Sequence, residues 1–391
     1  MTTSQQSTSL AAGLAIDQQI RTRARKIPLM RPIVDEEMIQ AASDALRNER
    51  LVMGESVHKF EEEFAKYCGT RYAISTGSGT AAIQIAFQAL GIGAGDVVLT
   101  TPFTFIASSN AAIHAGAKPE FADVEENGFN IDPVEVEKKT SPNTKAILPV
   151  HLYGQPCRMR ELQDIASDYG VRLVEDACQA HGAEVKGQRV GSIGDAGCFS
   201  FYTSKNMTVA GDGGMIVASD ETVAEAAKSL RDCGRMSKYT MSRIGYTSRL
   251  NTVNAAIGRV QLKRLDRWNL ARRRLAGRYR RGLENIPGIT LPPEDTPGSR
   301  SVYHLFVIRT KSRDQLAKRL EKYGVETAVH YPIPSHLQAP YRQLYNSAEG
   351  MFPISEKLAG EVLSLPMYPE LSDEEVDYVC GLIRNNPAGS L

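Results

Sequence analysis

At 391 residues the chain is too long for one small core, so two domains or one large α/β unit are expected. A formal net charge of +1 argues against a nucleic-acid groove, and no apolar run is long enough to span a bilayer. The six cysteines (Cys68, Cys157, Cys178, Cys198, Cys233 and Cys380) form no C-x-x-C pair and no zinc-spaced cluster. They read as reduced thiols of a cytoplasmic protein without a metal site.

The first 27 residues, Ser/Thr/Gln-rich and closed by the basic cluster Arg21–Lys26, read as a flexible tail. From Pro28 the pattern is globular. Asp35–Leu46 reads as a helix behind an acidic first turn, and Ser56–Tyr67 as a second one stopped by Gly69. An alternation follows. Strands at Tyr72–Thr76, Val97–Thr101, Pro119–Asp123, Lys145–Leu152 and Val171–Asp176 are separated by helices at Gly79–Leu90, Phe103–Ala115, Asp132–Lys139 and Arg158–Tyr169. Such alternation means right-handed crossovers and a largely parallel sheet buried on both faces.

Past Cys178 the rhythm changes to strands Gly197–Tyr202 and Met215–Ser219 with no helix between, and Lys205 sits in that connection. Asn254–Leu283 reads as one long basic helix linking two domains. After the loop Ile286–Gly298 come strand Tyr303–Arg309, helix Arg313–Tyr323, strand Val325–Val329 and helices Ser355–Leu363 and Ser372–Ile383. The expected domains are a large one at 28–268 and a small α+β one at 269–391.

Four pieces carry chemistry. Gly77-Ser-Gly79-Thr80-Ala-Ala82 follows a strand and opens a helix. It satisfies a dinucleotide fingerprint, yet the next strand ends in threonines and Pro102 rather than an acidic ribose partner. Free N–H groups at a helix start, with the Thr80 hydroxyl, suit a phosphate more simply; a plain glycine-rich turn is the competing reading. Asp176 ends an otherwise apolar strand, where open parallel sheets bind ligands, or else is a turn-former. Phe105 follows another strand end and is either core or a flat wall for a planar ring. Lys205 is either one more solvated lysine or a nucleophile. The histidines His151, His181, His304, His330 and His336 share no metal-ligand spacing, and no Ser-His-Asp order appears.

In this chain order a phosphate-binding helix start, a ring-stacking aromatic, a strand-end aspartate and a loop lysine make up the inventory that pyridoxal 5'-phosphate (PLP) requires. The lysine bonds the aldehyde, and the aspartate keeps the pyridine nitrogen protonated.

Longer matches extend this. They include Gly95-Asp96-Val-Val, Thr101-Pro-Phe-Thr-Phe105, Gly116-Ala-Lys-Pro119, Phe121-Ala-Asp-Val124, His151-Leu-Tyr-Gly154 and Glu175-Asp-Ala-Cys-Gln-Ala-His181. Phe199-Ser-Phe201, Ser204-Lys-Asn206, Gly211-Asp-Gly-Gly214, Ala255-Ala-Ile-Gly258 and His330-Tyr-Pro-Ile-Pro-Ser-His-Leu-Gln338 complete the set. On these the chain resembles the DegT/DnrJ/EryC1/StrS sugar aminotransferases from about Pro28 to about Asn385.

The resemblance implies the α/β fold type I of PLP-dependent transferases, aspartate aminotransferase-like, with a large mainly parallel-sheet domain and a smaller α+β C-terminal domain. It implies Lys205 as the lysine bonded to PLP, Asp176 on the ring nitrogen, Gln179 near the ring hydroxyl and Phe105 stacked on the ring. Gly79, Thr80 and Ser200 would hold the phosphate. Gly245-Tyr-Thr-Ser-Arg-Leu-Asn251 matches a segment that reaches the neighbouring subunit's cofactor phosphate, which implies a homodimer with shared active sites. The family commonly has Gly-Tyr-Asn there; with Thr247 in this chain, Arg249 or Asn251 is left for the contact. The family's usual Pro-Thr-Lys is Thr203-Ser204-Lys205 here, which keeps a hydroxyl before the lysine. The Tyr331-Pro-Ile-Pro-Ser-His336 loop is similar to that of members aminating nucleotide-linked 3-ketosugars and puts Tyr331 and His336 on the substrate; a plain Pro-rich turn is the other reading.

The function implied is amino-group transfer from an amino acid, L-glutamate, to a nucleotide-linked ketosugar at C3, in amino sugar or polysaccharide biosynthesis. Two rival classes remain. A dehydratase branch carries histidine at the lysine position, which Lys205 opposes. A non-catalytic paralogue would bind PLP or sugar for a structural or regulatory purpose.

Overall fold

The computed structural model describes residues 26–385. Residues 1–25 of the expected tail lie outside them. Ile27, read as part of that tail, is instead fully buried: it pairs with Val325 and fills the apolar core of the C-terminal region.

Helix α1 (Glu36–Asn48) starts at Asp35, whose carboxylate accepts from Met38 N. Helix α2 (Glu55–Cys68) stops at Gly69, whose φ of 78° is the left-handed C-cap that glycine takes without a Cβ penalty. The central sheet has seven strands: β1 (Tyr72–Thr76), β2 (Val97–Thr100), β3 (Lys118–Phe121), β4 (Thr144–Leu148), β5 (Arg172–Asp176), β6 (Ala196–Ser200) and β7 (Gly214–Ala218). Their order is β1-β7-β6-β5-β4-β2-β3. Only β7 runs antiparallel to its neighbours β1 and β6; the other pairings are parallel.

Crossover helices α3 (Gly79–Ala89), α4 (Ala107–Ala115), α5 (Pro133–Lys139) and α6 (Met159–Tyr169) cover the sheet. Side chains alternate between its faces. Val98, Ala146, Leu148 and Val174 join Ile83 and Ala112 in one core, while Leu99, Ile147 and Leu173 join Leu162 in the other. This is why the strands read as continuous apolar runs.

The differences from expectation have local causes. Residues 103–106 are not helical: Phe103 N bonds back to Thr101 Oγ1 at 3.1 Å, and α4 begins at Ala107. Helix α7 (Glu221–Arg231), capped by Asp220, was not anticipated. The long basic helix is two, α8 (Thr252–Leu262) and α9 (Leu265–Leu283), broken where Arg264 turns to pair with Asp35 and Glu37.

Helix α9 runs through the expected boundary at 268/269. Trp268 packs on Met38, Ile257 and Val260, whereas Leu275, Tyr279 and Leu283 enter the C-terminal core. That region pairs β8 (Phe306–Arg309) with β9 (Val362–Leu365) and carries α10 (Arg313–Lys322), α11 (Ala339–Tyr345), α12 (Pro353–Glu361) and α13 (Asp373–Arg384). The helix expected through Leu363 ends at Glu361, because 362–365 has β8 to pair with. The expected strand Val325–Val329 survives as two isolated bridges, to Ile27 and Ser364. Among the described residues no helix is long and apolar enough to cross a membrane.

Candidate active site

A cavity of about 520 Å³ opens beyond the carboxyl ends of the strands. Of the residues singled out in the sequence, it is lined by Gly79, Thr80, Phe105, Asp176, Gln179, Ser200 and Lys205. They come from four strand ends, the place where open α/β sheets bind ligands.

The start of α3 forms one wall. Ser78 caps the helix by accepting from Ala81 N at 3.1 Å, which leaves the first-turn N–H groups of Gly79 and Thr80 to the cavity. The approach to β6 is close. A Cβ on Gly79 would lie 2.7 Å from Ser200 Cβ and 2.8 Å from Cys178 Sγ, so only glycine lets the helix start reach the Ser200 hydroxyl. Free N–H groups, a helix dipole and two hydroxyls together make an anion cradle.

Asp176, 4% exposed, stands at the cavity floor. Its Oδ2 accepts from Ser108 Oγ at 2.7 Å and its Oδ1 from Cys178 N at 3.1 Å. Ser108 in turn lies 3.2 Å from Thr104 Oγ1, and both line the cavity. Sequence reading missed Ser108 and Thr104. The available signal was a pair of hydroxyl residues close together just past a strand end, where open sheets bind ligands.

Gln179 accepts from Tyr153 N through Oε1 at 2.9 Å and donates from Nε2 to the Tyr331 hydroxyl at 3.2 Å. Phe105 is 55% exposed, unusual for a large aromatic beside a cavity, and its ring centroid is 5.8 Å from that of Tyr331.

Lys205 is held in a turn by a bond from its N–H to Tyr202 O at 2.9 Å. Burial pushes its ammonium pKa down, while Cys178 and Asp176 pull it partly back. Lys205 is half-buried, and an amine partly withdrawn from water that shares a cavity with a carboxylate is the setting for a nucleophile or a proton carrier.

Three candidates lie elsewhere in this chain. Asn251 is exposed and caps α8, accepting from Asn254 N at 3.0 Å. Arg249 pairs with Asp232, and Thr247 bridges to the same residue. His336 is a correction. It is fully buried, bonded through Nε2 to Glu356 Oε1 at 3.1 Å and packed 4.7 Å from the Phe352 ring, because its loop folds onto the C-terminal region rather than into the cavity. Tyr331 reaches the site only at its edge, through Gln179 and Phe105. The described residues hold no cluster of three or more His, Cys, Asp or Glu suited to a metal ion.

The residues present fit a planar, phosphate-bearing pyridine aldehyde: an anion cradle, an exposed aromatic wall, a carboxylate with spare acceptor capacity, and a desolvated amine.

The profile of the DegT/DnrJ/EryC1/StrS aminotransferase family matches residues 32–384. The chain is 42% identical to the "Pleiotropic regulatory protein" of Geobacillus stearothermophilus, over 88% of this chain and 92% of that one. It is 40% identical to the dTDP-3-amino-3,4,6-trideoxy-alpha-D-glucose transaminase of Streptomyces venezuelae, over 93% and 97%. The crystal structure of S. venezuelae DesV in complex with a ketimine intermediate superimposes with a TM-score of 0.89 at 39% identity, covering 92% of this chain and 98% of that one.

Proposed function

We propose, because the chain belongs to the DegT/DnrJ/EryC1/StrS aminotransferase family, that it uses PLP to move an amino group from L-glutamate to C3 of a nucleotide-linked ketosugar. The observation that carries this reading is the pairing of a desolvated Lys205 with an under-bonded Asp176 across one cavity, beside an open helix start. A relative named as a transaminase of a dTDP-linked 3-amino sugar supports the C3 position.

When bound, PLP supplies an aldehyde for amino-group exchange and a ring that withdraws electrons. The first turn of α3 and the Ser200 hydroxyl would hold the phosphate. Phe105, which lines the cavity with much of its ring exposed, would offer the ring a flat apolar wall and exclude water there. Asp176, oriented by Ser108 and the Cys178 N–H, keeps the ring nitrogen protonated. With its amine free, Lys205 Nζ would be the base that takes the proton from the donor's Cα and later returns one to the sugar carbon. A lowered pKa leaves more of the free amine at neutral pH for both tasks. Gln179 and Tyr331 close the cavity toward the C-terminal region, where the sugar enters.

The proposal includes a cytoplasmic homodimer with shared sites. Met236, Tyr239, Met241 and Ile244 are 70%, 82%, 49% and 93% exposed on the segment just before 245–251. A second copy covering these side chains would bring Arg249 or Asn251 toward its own cavity. All six cysteines are free, as in a reducing compartment.

The test is spectroscopic. PLP-loaded protein is expected to show a visible band that bleaches with glutamate and returns with a nucleotide-linked 3-ketosugar. The regulatory name of the 42% identical relative favours, as a second reading, a PLP- or sugar-binding protein without turnover. A band indifferent to every amino acid would establish that reading instead.

A further inference from the structure

The residue after the lysine is the hub of a buried polar network that the proposed reaction does not use. Asn206 is 4% exposed. Its Nδ2 donates to Asn269 Oδ1 at 2.9 Å and to the Val302 carbonyl at 3.1 Å, and its Oδ1 lies 3.2 Å from His304 Nδ1. With both amide hydrogens committed, Oδ1 is the acceptor, so His304 carries its hydrogen on Nδ1. Asn269 passes the chain on by donating to the His181 carbonyl at 2.8 Å. The fit there is tight, since a Cβ on Gly182 would come within 2.9 Å of Asn269 Nδ2. One turn along α9, Arg272 donates to the carbonyls of Tyr303, His304 and Met367. The Asn206 amide therefore joins the Lys205 turn to helix α9 and to the entry of β8, and Asn269 links the Asp176–His181 segment to the same network.

The two sides of the loop differ. Residues 202–205 are exposed or half-buried, while Met207 and Val209 are fully buried and Thr208 Oγ1 bonds to Phe201 O at 3.0 Å. Downstream the loop is thus held to the sheet domain. At Asn206 it is held to α9 and the C-terminal region.

We infer that Asn206 is a positioning residue, which sets where the Lys205 amine stands relative to Asp176 by tying the lysine's turn to α9 and to the entry of β8. The inference rests on the reading of Lys205 as the lysine that bonds the cofactor. The groups nearest the turn are neutral: Asn206 and Asn269 carry no charge, and burial, and then the Lys205 charge, push His181 and His304 below the usual histidine range. A neutral hub fixes the turn without adding a counter-charge that would hold the lysine protonated.

The test separates capture by the lysine from binding in the cradle. Apo-protein is mixed with PLP, and bond formation at Lys205 is followed by absorbance. Affinity for pyridoxine 5'-phosphate, which has the same ring and phosphate but no aldehyde, is measured in parallel. Asn206→Ala is expected to slow capture by about tenfold or more while its pyridoxine phosphate affinity stays near wild type. His304→Asn, which keeps a donor near the Nδ1 position, should capture at close to the wild-type rate, and His304→Leu more slowly.

Wild-type capture in a folded Asn206→Ala variant, or an equal loss of pyridoxine phosphate affinity, overturns the positioning role. If Asn206→Ala does not fold, the two His304 variants decide, and equal capture rates in them overturn it. A wild-type protein that binds pyridoxine phosphate but never captures PLP at Lys205 overturns the underlying reading and this inference with it.

Discussion

Glu175 and Asp176 are consecutive carboxylates on β5 that face opposite sides of the sheet. Behind the sheet Glu175, fully buried, accepts four hydrogen bonds: from Gly191 N and Ile193 N at 2.7 Å, from Gly194 N at 2.8 Å and from His151 Nε2 at 3.0 Å. His151 Nδ1 accepts from Cys157 N, which leaves Nε2–H to donate to the carboxylate. In front, Asp176 accepts two bonds and keeps the rest of its capacity toward the cavity. A carboxylate has about four acceptor sites, so the first is full and the second is not. The same chemical group fastens a loop on one face and is available to a ligand on the other. Burial does not distinguish them; the tally of donors does.

Variants can break or sharpen that contrast. The largest effect is expected from Lys205→Ala, across the cavity from Asp176. Loss of both the covalent and the proton-transfer role should cut turnover by more than about 10⁴-fold with the melting temperature nearly unchanged. Retained transamination would remove the central assignment.

Asp176→Asn should lower turnover by about a hundredfold or more, while phosphate affinity and unfolding midpoint stay near wild type. Glu175→Gln should do the reverse. An amide NH₂ placed among four donors cannot accept from them, and a loss of about 3 kcal/mol in urea unfolding is expected, with little change in turnover per folded molecule. Should Asp176→Asn unfold the protein and Glu175→Gln spare its stability, the division between the two faces is wrong. Ser108→Ala removes one of Asp176's two donors and should cost about tenfold in kcat/KM without a stability loss, read by steady-state kinetics.

The smallest effect expected is on the acid limb of stability. Burial, and then the Lys205 charge, lower His181 from 6.5 to about 3 and His330 from 6.5 to about 4. Such groups take up protons more readily in the unfolded chain than in the fold. Their neutral forms are therefore fully compatible with folding above 6.5, and stability is lost as pH falls from there through about 4. Neither ring nitrogen of His181 has a hydrogen-bond partner among the described residues. His181→Leu should thus flatten the decline in melting temperature between neutral and acid pH, and an unchanged slope would refute this.

Local signals were readable where the cause is local. The Gly69 stop and the α3 start at Gly79 depend on residues within a few positions and fall where the pattern put them, while the first helix, read from Asp35, starts one residue later with Asp35 as its cap. Long-range partners decided the rest. Ser108 looks like any helix serine until the fold brings it to Asp176, 68 residues away. His336 shares a loop with Tyr331, yet its contacts with Glu356 and Phe352 take it out of the cavity. Residues 362–365 continue an apolar pattern that suits helix or strand equally, and pairing with β8 made them a strand.

By itself the sequence determined the parallel α/β framework, the order of the chemical groups along the chain, and the family to which they belong. Alternation, glycine placement and motif order are properties of the chain alone. The tertiary structure decided which carboxylate is saturated, which histidine leaves the site, and that the lysine's turn is anchored through Asn206. Each of these depends on counting hydrogen-bond partners from remote segments, and those partners exist only once the chain has folded.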